Sequence, residues 1–109
     1  MLEKKYRLPW GVKLTNSRFI VSPQFSVKIK NNSLLFNRVG VVISKKIDKR
    51  AVVRNRIKRL IYSIVEEMWE NIQSGQDILF IIKRNAGKAK REDLYLSIKQ
   101  ILSREKLSL

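Results

Sequence analysis

Residues 44–62 read SKKIDKRAVVRNRIKRLIY. Lys45, Lys46, Lys49, Arg50, Arg54, Arg56, Lys58 and Arg59 surround an apolar stripe there, and Asp48 is the only acid among them. At about 100° per residue, Val53, Ile57, Leu60, Ile61, Ile64, Met68 and Ile72 fall in one arc. Arg54, Asn55, Arg56, Lys58, Arg59 and Tyr62 fill the opposite one. The spacing predicts a long helix from about Arg50 to about Ser74, with Asp48 as a candidate N-cap and Gly75 as the stop.

On either side of this helix the pattern changes to strands. Residues 38–44 are β-branched, with Val39, Val41 and Ile43 on one face and Gly40, Val42 and Ser44 on the other. Residues 24–30 alternate, with Phe25, Val27 and Ile29 facing one way and Ser26, Lys28 and Lys30 the other, the mark of a half-buried strand. Residues 17–22 read as a short strand stopped by Pro23, and Asn31-Asn32-Ser33 as a turn. Residues 77–83 are apolar on both faces and suit a central strand. Residues 91–105 place Leu94, Ile98, Ile101 and Leu102 at helical spacing. Residues 1–16, with Pro9 and Gly11, read as an N-terminal arm with at most a short helix. The fold class expected is α+β: one domain over residues 1–109, with a sheet of about four strands and two packed helices.

The 109 residues carry 24 Lys and Arg against 9 Asp and Glu, a formal net charge of +15. Such an excess destabilises a compact chain by self-repulsion unless a polyanion neutralises it. Hydrophobic residues make up 44%, too many for a disordered basic tail. The chain has neither cysteine nor histidine, so disulfides, thiolate metal sites and the commonest general acid–base residue are all excluded. No stretch approaches the length of a membrane span or a signal peptide, and a soluble, cytoplasmic protein with no membrane partner is expected.

A run of cations on a helix is ordinarily a solvated face. Here the charges stand in the order that the helix dipole disfavours. The first half is basic, whereas Glu66, Glu67 and Glu70 follow in the later turns. Each misplaced charge is worth about 0.3–1 kcal/mol, and Glu66 and Glu70 repel at i, i+4. Folding alone gives no reason for this order. Phosphate binding does, because side-chain charge adds to the positive end of the dipole. Asn55, between two arginines, can both donate and accept, either to a base edge or 2′-hydroxyl or within the local structure.

The run Ser44-Lys45-Lys46-Ile47 followed by Arg50–Ile61, entered from the strand end Val39-Gly40-Val41-Val42-Ile43, resembles the signature of the bacterial ribonuclease P protein subunit. That family's hallmark is an Arg-Asn-Arg helix after a Val-Gly-x-x-x-Ser-Lys-Lys strand end. The likeness covers roughly residues 36–105. It implies an α-β-β-β-α-β-α fold with a left-handed crossover at the basic helix and, in this chain, a first helix that is short or missing. It also implies an RNA-catalysed, magnesium-dependent endonuclease that removes the 5′ leader of precursor tRNA. The protein in it is a non-catalytic cofactor, one per catalytic RNA, and the RNA rather than the protein uses the magnesium.

Carried onto this sequence, the resemblance assigns contact with the catalytic RNA to Lys45, Lys46, Arg50, Arg54, Asn55, Arg56, Lys58, Arg59 and Arg84. Leader binding falls to Trp10, Phe25, Ser26 and Lys28. Ser26 and Lys28 stand where the family carries apolar or aromatic groups, so a lysine–phosphate contact is expected in place of base stacking. Trp10 and Phe19 are the residues that could rebuild the aromatic wall of the leader cleft; against that, Phe19 is expected to be packed, and Trp69 to pack at the edge of the apolar stripe. No catalytic side chain and no protein-held metal are expected. Three other classes compete: a small ribosomal protein, a protein-only nuclease and a DNA-binding regulator. The Ser-Lys-Lys and Arg-Asn-Arg pattern and the lack of a long basic tail speak against the first. A nuclease needs convergent carboxylates for magnesium. A helix–turn–helix regulator needs a second helix just before residue 50, where the pattern reads as strand.

Overall fold

The computed structural model describes residues 3–9, 14–83 and 90–108. A 3-10 turn at Lys4–Tyr6 comes first, then strands β1 (Arg18–Val21), β2 (Phe25–Asn31) and β3 (Arg38–Val42). Helix α1 (Ala51–Glu67) follows, a second 3-10 turn (Trp69–Asn71), strand β4 (Gln76–Ile82) and helix α2 (Arg91–Arg104). The first helix is thus represented among the described residues by a single turn.

The sheet order is β1-β2-β4-β3. The β1–β2 and β2–β4 pairs are antiparallel, while β3 and β4 pair in parallel through the α1 crossover. The central position of β4 follows from its two apolar faces. Ile78, Phe80 and Ile82 enter the core with Val27, Ile29, Phe25, Val39 and Val41 from the neighbouring strands. Both helices cover this face, α1 with Ile57, Ile61, Ile64 and Val65, and α2 with Leu94, Ile98, Ile101 and Leu102. Val53 and Leu60 lie at the margin.

Register sets out the other face row by row. One row is Phe19, Lys28, Leu79 and Gly40; the next is Val21, Ser26, Ile81 and Val42. Gly40 is where the N-terminal segment comes close. A Cβ there would stand 3.1 Å from Leu79 Cδ1 and 3.2 Å from Leu8 Cβ, so the missing side chain lets Leu8 lie against the sheet.

The long helix ends earlier than its period suggests. α1 stops at Glu67, Met68 leaves helical geometry, and the 3-10 turn at Trp69–Asn71 redirects the chain. Met68 and Ile72 are still buried, but through tertiary contacts. The Trp69 ring packs on Tyr6 with centroids 5.3 Å apart, as its stripe-edge position suggests, and Ile72 bridges to Ser108. Gly75 lies beyond this turn at φ +86°, a left-handed position that leads into β4 rather than ending the helix.

At the far end of the sheet, Asp77 is buried. It accepts the Arg38 guanidinium at 2.9 and 2.8 Å and the Asn32 amide at 2.9 Å. This network ties the β2–β3 loop to the start of β4.

Candidate nucleic-acid interface

The basic surface is built where β3 hands over to α1. Asp48 is not the N-cap; Arg50 is, with extended backbone and no capping side chain. Asp48 stands two residues ahead. Its Oδ1 accepts the Arg50 N–H at 2.8 Å, and its two oxygens take the Arg50 guanidinium at 3.1 and 2.9 Å. Arg54, one turn into the helix, donates through Nη1 to the carbonyls of Asp48 and Lys49, both at 2.8 Å. The loop is therefore laced to the helix by the helix's own cations. Those carbonyls orient Arg54 without cancelling its charge.

The Arg50 guanidinium and N–H hold the Asp48 carboxyl well below the usual carboxylate range, at about 2. Asp48 is the one acid in the run, and the Arg50 side chain that it pairs with remains 75% exposed. Lys45, Lys46, Asn55, Arg56 and Arg59 are exposed, while Arg54 and Lys58 are half-buried. α1 has no acid in its first turn and no base in its last, so dipole and side-chain charge reinforce each other at its N-terminus. The structure thus brings all eight of the residues 45–59 assigned to RNA onto the surface around one loop and the opening turns of α1. Arg84 lies outside the described residues.

The residues assigned to the leader do not form one group. Phe25 is fully buried on the helix-covered face, where its ring meets Phe80 edge-on at 5.5 Å. It is a core residue and does not reach the open face, because β2 alternation aims position 25 away from it. Ser26 and Lys28 do point to the open face; Ser26 is nearly covered at 6% exposure, and Lys28 is half-buried. Trp10 lies outside the described residues. Phe19, expected to be packed, is 57% exposed beside Lys28 on the open face. The register Ile20↔Val27 commits Ile20 to the core and turns Phe19 and Val21 outward. The alternation in Arg18–Val21 carries that signal, but only with the register known.

Glu67 is paired with Arg91, and no three metal-ligating side chains converge among the described residues. No helix among the described residues is long and apolar enough to cross a membrane.

A family model described as Ribonuclease P matches residues 12–106. Relatives named "Ribonuclease P protein component" include one from Clostridioides difficile (strain 630), 36% identical over 84 residues, which span 76% of this chain and 73% of that protein. Another, from a Cyanothece species, is 38% identical over 66 residues, spanning 61% of this chain but only 50% of that relative's length. The Staphylococcus aureus RNase P protein superposes with a TM-score of 0.83 at 26% identity, over 95% of this chain and 98% of that one. The Thermotoga maritima RNase P protein, at 22% identity, gives a TM-score of 0.74 over 82% of this chain and 84% of that one and shares the fold. With the family match running unbroken from before β1, through the Arg-Asn-Arg helix and past α2, the chain belongs to the ribonuclease P protein family.

Proposed function

We propose that this chain is the protein subunit of a ribonuclease P ribonucleoprotein, active in 5′-end maturation of tRNA in the cytoplasm. One copy would bind one catalytic RNA through Lys45, Lys46, Arg50, Arg54, Asn55, Arg56, Lys58 and Arg59. Hydrolysis of the phosphodiester bond belongs to the RNA and its magnesium ions. In this reading the chain's own work is to bind, position and screen charge.

The observation that carries this reading is the loop and helix start at residues 45–59. Its cations are exposed or half-exposed, and its one acid is paired with an arginine that still faces solvent. A surface built only for folding would place carboxylates there. The open sheet face supports a second contact, to the leader of precursor tRNA. Lys28 would meet a leader phosphate, and the exposed Phe19 beside it offers a ring for a base.

Reconstitution tests the proposal. Added to a bacterial ribonuclease P RNA at low magnesium, the protein should speed release of the leader from precursor tRNA. Lys28→Ala should reduce affinity for precursor more than for mature tRNA. No effect of the protein on cleavage at any magnesium concentration would overturn the assignment, and equal effects of Lys28→Ala on both tRNAs would remove Lys28 from the leader path.

A further inference from the structure

One row of the open sheet face runs from the basic loop to the opposite edge of the sheet. Val42 pairs with Ile81, Ile81 with Ser26 and Ser26 with Val21. Val42 stands two residues before Ser44, where the basic run begins. Val21 ends the row on β1, three strand spacings or about 14 Å away, beside Phe19 on the same face. The two end members are the exposed ones, Val42 at 48% and Val21 at 60%.

Beyond Val21 a groove of about 390 Å³ opens between the β1–β2 turn and α2. Val21, Ser22 and Pro23 form one wall, and Ser97, Gln100, Ile101 and Arg104 the other. The turn is held by the Ser22 N–H, which donates to the Phe25 carbonyl at 2.9 Å, and by the Lys83 ammonium, which donates to the Ser22 carbonyl at 2.8 Å. With Ser22 bonded to Phe25, the alternation of an antiparallel ladder leaves Val21 and Ser26 as a pair without hydrogen bonds. The Val21 N–H and carbonyl therefore point away from β2, along the free edge of β1 that borders the groove.

Among the described residues no carboxylate lines this groove. Glu105, next to Arg104 in sequence, is tied to Arg18 at 3.5 Å, and Asp93 stands a turn ahead of Ser97 on α2. Gln100 and Arg104 are exposed. The walls thus offer a backbone N–H, a hydroxyl, a carboxamide and a guanidinium beside the apolar Val21 and Pro23. That mixture suits a nucleotide, with an anionic phosphate and a flat base. A free strand edge also takes extended peptides. Here β1 has only four residues before Ser22 and Pro23, and a net charge of +15 favours a polyanion.

We propose that the groove between the β1–β2 turn and α2 is a distal subsite for single-stranded RNA. It takes leader nucleotides upstream of those that lie on the open face. Arg104 meets a phosphate, Gln100 and the Val21 N–H meet polar groups of the nucleotide, and Val21 and Pro23 give the base an apolar surface. The subsite presupposes the leader contact proposed above and carries the strand from Phe19 and Lys28 over the edge of β1.

Leader length is the variable that tests it. Precursor tRNAs whose leaders are lengthened one nucleotide at a time are bound to the protein assembled with a bacterial ribonuclease P RNA. Affinity should rise in a last step once the leader passes the edge of β1, and then level off. Arg104→Gln should weaken binding of long-leader precursor about tenfold, remove that last step, and lower the salt slope for long leaders by about 0.7. Arg104→Lys should keep the slope. In the free protein, a short single-stranded RNA should shift the Val21 amide and the Gln100 side-chain amide in a nitrogen–proton correlation spectrum.

A folded Arg104→Gln that keeps the last step overturns the subsite. So do Val21 and Gln100 signals indifferent to the RNA, a measurement that needs no variant. Shifts caused by an extended acidic peptide but not by RNA would assign the edge to strand addition and overturn it as well. If the wild-type assembly binds precursor and mature tRNA alike at every leader length, the leader contact on the open face fails with it.

Discussion

A single aspartate shows how the residue scale prepares the surface. Asp48 takes both the Arg50 amide and its guanidinium, and the arginine holds its carboxyl down to about 2. A folded-state value below the ordinary carboxylate range of about 4 means that the contribution to stability is complete above that range and is lost as pH falls through about 2. Carbon-detected titration of the Asp48 carboxyl should therefore show a midpoint near 2, and Arg50→Ala should return it toward the ordinary range; an unchanged midpoint would refute the pairing. Asp77 illustrates the opposite case, a carboxylate buried for structure. It accepts three hydrogen bonds from Arg38 and Asn32. Asp77→Ala leaves the partly buried Arg38 charge without its partner and should cost on the order of 3 kcal/mol in chemical denaturation. A loss below about 1 kcal/mol would show that water replaces the carboxylate with ease.

Elements turn these local arrangements into a platform. α1 holds its apolar stripe against the sheet through Ile57, Ile61 and Ile64, which leaves the other side of its opening turns free to carry cations. The combined variant Arg54→Ala, Arg56→Ala should reduce the salt dependence of RNA binding by about one unit of slope for each phosphate no longer neutralised. Arg54 also laces the preceding loop, so Arg54→Ala alone should loosen residues 48–50, visible as faster amide exchange there. Arg56→Ala should not. An unchanged slope in the double variant would refute phosphate binding by this helix. Gly75 serves the turn into β4. At φ +86° and with the Leu34 carbonyl 3.2 Å from the place of a Cβ, Gly75→Ala should destabilise by about 1–2 kcal/mol, measured by thermal unfolding.

At the scale of the molecule, what can be read in the chain is whatever repeats over several residues. β2 shows seven positions of alternation, β4 two apolar faces, and α1 a stripe long enough to fix its buried side; each lies where its pattern indicates. The basic run is legible for the same reason. What the pattern misses depends on neighbours distant in sequence. β1 has four residues, too few to say which face meets the core until Ile20 is set opposite Val27, and so Phe19 reads as packed when it is exposed. The end of α1 depends on Tyr6 against Trp69 and Ser108 beside Ile72, while the apolar period itself runs on past the break. The parallel pairing of β3 with β4 leaves no local trace at all. One further long-range approach can be tested directly. Leu8 reaches the open face only because position 40 has no side chain, with both of its nearest atoms 3.2 Å from the place of a Cβ. Leu8 and Leu79 are flexible enough to give a few tenths of an ångström, so Gly40→Ala should be tolerated. Gly40→Val adds two further methyl groups that neither neighbour can clear, on a strand that otherwise favours valine. It should keep the sheet folded while displacing Leu8, breaking the Leu8 N–H bond to Val39 and releasing the N-terminal segment from the edge of β3. Rapid exchange of the Leu8 amide in Gly40→Val, with β2–β4 amides still protected, is the expected result. Protection of Leu8 equal to wild type would mean that the backbone bridge, rather than the gap above Gly40, holds the segment in place.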